Sequence, residues 1–535
     1  MDREHVVVTA GFVFLSIFTL TLWTFSATQT SKRRLVPVSS PPLTPSGIDD
    51  EAKKWQPINN VGSSRPPGPE PDWLIGNVRH LPKGDVYTPF CEWQKIYGDM
   101  FYLSALGKRL LVVGSLAIAE ELTTKRSNVY SGRPHPTMID DLMGWNWILT
   151  SLNPSSALTE GRRILRNALG PRKLSRYDKV LVSQLKTLVD DLDGFSGHPL
   201  AAVTNAVAST IIRIAYGDGV YEDVGKQLLE LHAVTTRQLN WVAGQFWLVE
   251  YVPALKYLPE WLFGMEFQRI AAEGYALQNK IRTFPCSQAL IHWGQGTLGT
   301  CLVKNYFDNP QGEEQFVLVR DTIGVIHSAG VDTTSFTVII FLSLILAHPH
   351  VQSKIHEELD ALLGPTSHRL PIPADRESLP YTEAAWKEAM RLIPTLPLGV
   401  PRATMADDVY NGWHIPKDTM VFLNAGFMCR DPKLWAEPDA YKPERWLSPV
   451  NANEGPPPDI YSIVFGFGSR ICPGIQLADR IGFGIVTGLL SVYDLVPPEG
   501  KATPSLDSFI YEGEFARYPT NLECHFRPRR AQSPE

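Results

Sequence analysis

From residue 181 to residue 392, apolar side chains recur at intervals of three and four, the spacing that lines one face of a helix. The pattern predicts helices over Leu181–Leu192, Val203–Ala215, Lys226–Leu239, Phe316–Ala347, Val351–Leu363 and Tyr381–Leu392. Alternation with a period of two is rarer. It predicts short strands at Phe101–Leu103 and Arg109–Val113, and a hairpin in which Asn411-Gly412 joins Asp408–Tyr410 to Trp413–Ile415. Prolines at 394, 397, 401, 432, 438, 443 and 449 predict a long meandering coil before a last helix from Ile475 to Tyr493. The expected fold class is mainly α with small β-sheets.

The N-terminus follows another pattern. From Val6 to Ala27 there are 22 residues without a charge. As a helix they reach about 33 Å, enough to cross a hydrocarbon core of ~30 Å. Asp2, Arg3 and Glu4 precede the run and Lys32, Arg33 and Arg34 follow it, the reverse of a cleaved signal peptide. Residues 1–34 are thus expected to form a single-pass transmembrane anchor, with the basic flank and the body in the cytosol. Residues 35–72 are rich in proline and polar residues, ending in Arg65-Pro-Pro-Gly-Pro69, and are expected to be a linker and hinge. No second such stretch and no repeat interrupts 73–535, which predicts one large domain.

With 535 residues, 44% of them hydrophobic, the chain can bury a large core, and a net charge of -6 gives no reason to expect a nucleic-acid partner. Six cysteines lie far apart with no C-x-x-C spacing, which indicates neither a disulfide framework nor a structural zinc site. Five of them, Cys91, Cys286, Cys301, Cys429 and Cys524, read as small buried hydrophobes.

Cys472 differs. It stands in Phe465-Gly-Phe-Gly-Ser-Arg-Ile-Cys-Pro-Gly474, just before the predicted last helix. A thiolate at a helix start gains from free N–H groups and the helix dipole, which lower its proton affinity and suit it to bind a metal. Gly466, Gly468 and Gly474 let the backbone approach a flat ligand, and Arg470 offers a cation two residues from the sulfur. The string fits F-x-x-G-x-R-x-C-x-G and resembles the cysteine-ligand loop of the cytochrome P450 family. The resemblance implies the P450 fold, preceded here by the N-terminal transmembrane helix, and haem b held through Cys472 as axial iron ligand, with Phe465, Gly466 and Arg470 around it.

Three further stretches extend the resemblance. Glu388-Ala-Met-Arg391 places two opposite charges on one helix face, by composition an ordinary ion pair. It is similar to the family's E-x-x-R, which implies a buried network completed by Arg445 in Tyr441-Lys-Pro-Glu-Arg-Trp446. Ala329-Gly-Val-Asp-Thr-Thr334 lies inside the apolar Phe316–Ala347 helix, where Gly330 is an odd choice for packing alone. It resembles the family's distal segment and implies that Thr333 orients dioxygen and Asp332 helps deliver protons; a hydroxyl bonded back to its own helix is the plain alternative for Thr333. Arg402, Arg470 and Arg162 are the cations expected near the haem propionates. Leu158, four residues before Arg162, replaces the family's usual tryptophan and removes one indole donor. His327 reads as a packed or water-facing histidine.

The resemblance covers about residues 65–528 and is similar to fungal, membrane-bound members acting in secondary metabolism, although 35–64 and 283–305 fit it poorly. It implies a monooxygenase acting on an apolar small molecule, supplied with NADPH electrons by a separate NADPH–cytochrome P450 reductase at the endoplasmic reticulum membrane. Arg163, Arg166, Arg172 and Lys173 are candidate docking cations. Met138, Leu142, Met143, Trp145, Trp147, Trp241, Phe246, Phe336 and Phe515 are candidate pocket walls, each as readily explained by core packing. Gly294-Gln-Gly-Thr-Leu-Gly299 satisfies the dinucleotide fingerprint, but no βαβ pattern surrounds it, so a membrane-anchored nicotinamide dehydrogenase is a remote alternative. A non-catalytic haem or ligand binder is the other.

Overall fold

The computed structural model describes residues 65–529 except 83, 263, 365–368, 448–455 and 514, so the Val6–Ala27 run and the linker to residue 64 lie outside the described residues. The principal helices are α1 (Tyr87–Tyr97), α2 (Ser156–Leu169), α3 (Asp178–Asp191), α4 (Leu200–Tyr216), α5 (Asp218–Ala243), α6 (Phe267–Gly294), α7 (Glu313–Ala347), α8 (Pro349–Leu363), α9 (Pro380–Leu392) and α10 (Ile475–Val492). All six helices predicted from the apolar repeat are present, each starting earlier than its first periodic residue. Five of the six first turns carry proline or charge: Asp178 and Asp218 open α3 and α5, Pro349 and Pro380 open α8 and α9, and Glu313 and Glu314 face the positive end of the α7 dipole, while α4 opens on Leu200 behind Pro199.

Helix α7 is buried on nearly every side, and the run Val338–Leu346 is a continuous stretch of core. Helices α4 and α10 pack along it, with α2, α6 and α9 beside them. Gly482 of α10 admits the Trp386 ring and Gly488 admits Leu185, so α9 and α3 close on α10 without a gap. Both α7 and α10 are long and apolar enough to cross a membrane by composition, yet most of each is covered by protein, as core helices are.

The strands are β1 (Met100–Ala105), β2 (Lys108–Val113), β3 (Ser196–Gly197), β4 (Arg402–Ala403), β5 (Asp408–Tyr410), β6 (Trp413–Ile415), β7 (Met420–Leu423), β8 (Tyr493–Val496), β9 (Tyr511–Glu512), β10 (Tyr518–Pro519) and β11 (Cys524–Pro528). A four-stranded sheet runs in the order β1-β2-β7-β4, with β2 and β7 parallel. The predicted hairpin is β5–β6, with Asn411 at φ 51° and Gly412 at φ 82°, as a tight two-residue turn requires. Pro66 and Pro69 are buried, and the Pro67 carbonyl accepts the Tyr102 N–H at 2.8 Å, so this part of the proline-rich stretch packs on β1. Ala289–Trp293 lies in the end of α6 rather than in a strand, Gly294 is the last residue of that helix, and Gly296 and Gly299 belong to the turn after it, which excludes a strand-to-helix phosphate loop.

Candidate active site

The cysteine loop crosses from a short helix, Ile460–Val464, to the start of α10. The Cys472 N–H donates to the Phe465 carbonyl at 2.8 Å and folds the loop back on itself. Gly466 and Gly468 take φ of 84° and 54°, and a Cβ at Gly468 would overlap the Thr123 carbonyl, so the loop fits only with glycine there. Phe465 stacks on Tyr461 with ring centroids 5.8 Å apart. The sulfur of half-buried Cys472 receives the N–H groups of Gly474 and Ile475 and the field of Arg162. Burial outweighs them and leaves the thiol raised above its ordinary value, although the N–H groups at the helix start lower it as expected. Ionisation of this sulfur therefore goes with coordination to a metal, which takes the place of the proton.

Four arginines gather beside this loop. Arg402 donates to the carbonyls of Phe467 (2.6 Å) and Tyr130, Arg470 to Ser131 (2.8 Å) and Leu152 (2.7 Å), and Arg162 to Ile471 (2.6 Å). Arg133 donates to Val400 (2.9 Å) and Pro401 (2.6 Å). Among the described residues none of the four pairs with a carboxylate, and Arg133 Nε is buried without a partner. Burial and mutual repulsion lower Arg133 to about 9 and Arg402 and Arg470 to about 10. Burying like charges together is costly unless an anion joins them, and the two carboxylates of haem fit that need. Arg133 is an addition to the three predicted cations; its only mark in the sequence is the Tyr130-Ser-Gly-Arg-Pro string. Leu158 is buried in the core, in apolar packing.

On α7 the accessible surface reopens in mid-helix. Ala329 is exposed and Ser328, Gly330, Asp332 and Thr333 are half-buried, between buried Val325–His327 and buried Thr334–Ser335. These positions keep accessible surface in the middle of an otherwise buried helix. Thr333 Oγ1 donates to the Ala329 carbonyl at 3.0 Å, the back-bonded geometry, which leaves its oxygen able to accept a bond from a guest. Gly330 has a packing reason after all, since a Cβ there would stand 3.1 Å from Ile211 of α4. Asp332 Oδ1 lies 3.2 Å from Nε2 of His232 on α5, a partner the sequence does not announce. Trp147, Trp145, Met138 and Met143 are core residues, whereas Trp241, Phe246 and Phe515 are exposed.

Glu388 and Arg391 are fully buried. Arg391 meets the carboxylate through Nε (3.0 Å) and Nη2 (2.8 Å), and Arg445 Nε joins at 2.8 Å. Trp446 Nε1 adds a bond of 3.0 Å, unforeseen from the E-x-x-R spacing. The remaining guanidinium donors hold the carbonyls of Cys429, Pro438 and Ala440, so the network ties the proline-rich coil to α9.

Comparison with known proteins agrees with this geometry. The Cytochrome P450 family model matches residues 66–523. Cytochrome P450 monooxygenase 226 of Postia placenta is 32% identical over 483 residues, 88% of this chain and 89% of the relative. Cytochrome P450 monooxygenase COX2 of Coprinopsis cinerea is 32% identical, covering 88% and 90%. Cytochrome P450 monooxygenase ple1 of Rhodocybe pseudopiperita is 32% identical, covering 91% and 92%. A cysteine loop built to bind metal, a nest of arginines without carboxylates and relatives of nearly full length all agree: the chain belongs to the cytochrome P450 family, among its fungal haem-thiolate monooxygenases.

Proposed function

We propose that this monooxygenase inserts one oxygen atom into an apolar metabolite of fungal secondary metabolism, at the endoplasmic reticulum membrane, with electrons from NADPH passed on by a separate flavoprotein reductase. The observation that carries the reading is the pairing of Cys472 with the four carboxylate-free arginines, a site for a metal cofactor with acidic arms. Haem, when bound, supplies the activation of dioxygen. The chain supplies the rest. Cys472 gives its sulfur to the iron, Arg133, Arg162, Arg402 and Arg470 receive the acidic arms, and the glycines of the loop let the flat ring approach. Thr333 would hold the oxygen guest by turning its O–H from the Ala329 carbonyl toward it, and the Asp332 carboxylate would take up and release the protons consumed as the second oxygen atom leaves as water. The Glu388–Arg391–Arg445 network is structural.

Cys472→Ser tests this. The purified variant should lose the red-shifted Soret band of the reduced, carbon monoxide-bound form together with NADPH-dependent oxidation; an unchanged spectrum and activity would overturn the assignment. A second reading, a binder that does not turn over, is favoured by Leu158 alone. Fully loaded protein that consumes NADPH with a reductase and gives no product across a substrate panel would support it.

A further inference from the structure

Three imidazole nitrogens without partners meet behind Asp332. His232 Nδ1 and both ring nitrogens of His327 are buried and unbonded among the described residues, although nearly all buried polar atoms in folded proteins find a partner. The two rings stack with centroids 5.3 Å apart and 27° between planes. Tyr216 of α4 stands edge-on to His327 at 6.3 Å. The other titratable groups facing the cluster are Tyr518 of β10, beside Asp332, and Cys286 and Asp321, beyond Tyr216. Asp332 is the more accessible of the bonded pair, its side chain 24% exposed against 3% for His232.

A histidine kept only for packing would be better served by an apolar ring, since each unpaired buried nitrogen costs stability. His232 is retained where its Nε2 can donate to Asp332 at 3.2 Å. Burial lowers His327 to about 3, so that ring stays neutral. We propose that His232 is a positioning residue for Asp332, fixing the direction of the carboxylate on the accessible stretch of α7 through the contact between Nε2 and Oδ1. This rests on the reading of Asp332 as the proton-handling acid.

The test uses full-length, haem-loaded protein with reductase and NADPH, reading dioxygen consumption and hydrogen peroxide release across pH 6–8.5, which needs no identified substrate. His232→Phe should slow dioxygen consumption about tenfold, short of the ~100-fold or more that a positioned proton donor itself contributes. His232→Gln, which keeps an N–H donor, should restore the rate. Independently of activity, nitrogen-15 spectra of histidine-labelled protein in the reduced carbon monoxide form should show the His232 signals displaced in Asp332→Asn, because the carboxylate facing Nε2 is gone. If Asp332→Asn is crippled while both His232 variants match the parent at every pH, or if the His232 signals ignore Asp332→Asn, the proposal falls and the role of Asp332 stands. If Asp332→Asn itself is harmless, that role falls and the proposal with it. Should His232→Phe fail to load haem, His232→Gln and the spectra decide.

Discussion

Asp140 shows how a single side chain sets a pH dependence. Its Oδ1 is buried without a partner, its Oδ2 is 3.2 Å from His135 Nδ1, and burial, partly opposed by His135, pushes it up to about 6. The folded state therefore holds this proton more tightly than the unfolded chain, and stability present below about pH 4 is lost as pH rises toward 6. Asp140→Asn removes the cost: chemical unfolding of the holoprotein should show a gain of about 3 kcal/mol at pH 8 that shrinks toward zero at pH 4. Glu388 is the opposite case, a buried carboxylate bonded by Arg391, Arg445 and Trp446. Glu388→Gln should cost about 3–5 kcal/mol in the same measurement, because two guanidinium groups lose their counter-charge in the core. The Cys472 loop could be read from the chain because its residues are consecutive. His232 and Arg133 could not, since their partners stand 100 and 267 residues away and only the fold brings them together.

Helices whose buried stripe is made of large apolar residues, such as α4 and α7, are legible in the sequence. Helix α6 is not. Its buried stripe runs Phe267, Ala271, Gly274, Gln278, Ile281, Pro285 and Ala289, at helical spacing but mostly small or polar, so the apolar signal fades while the geometry persists. This explains why residues 283–305 fit the family pattern poorly: the first part finishes α6, and the rest is the turn that closes over the α4–α5 junction. Gly217 at that junction has φ 99°, and a Cβ there would overlap the Leu298 carbonyl. Gly217→Ala should destabilise by more than ~1 kcal/mol, whereas Gly294→Ala, with open space around it, should be neutral or gain up to ~1 kcal/mol and leave oxidation unchanged. Loss of activity in Gly294→Ala would reopen the nucleotide-binding reading. Thermal unfolding of both variants separates the outcomes.

At the scale of the molecule, the proposed supply of electrons by a separate reductase makes the exposed charge beside the cysteine loop testable. Arg166, Arg172 and Lys173 are exposed on α2 and the turn after it, while Arg163 is already paired with Glu160, and α2 reaches the cysteine loop through Arg162. Reversing Arg172 and Lys173 together should slow reductase-driven haem reduction about tenfold at low salt, with parent and variant converging as salt screens the field; stopped-flow reduction checks it. The arginines deeper in are not screened in this way. Each is fastened to a carbonyl in a stretch of coil that carries or adjoins another member of the set, and they repel one another. Without an anion among them these like charges weaken the folded state, and a bound dianion offsets the repulsion. Removing the prosthetic group should lower the melting temperature and make it climb again with added salt, as the loaded form would not. Maturation would then hinge on capture of the prosthetic group, since a copy without it is the less stable one, and less stable copies are the ones that chaperones and proteases remove.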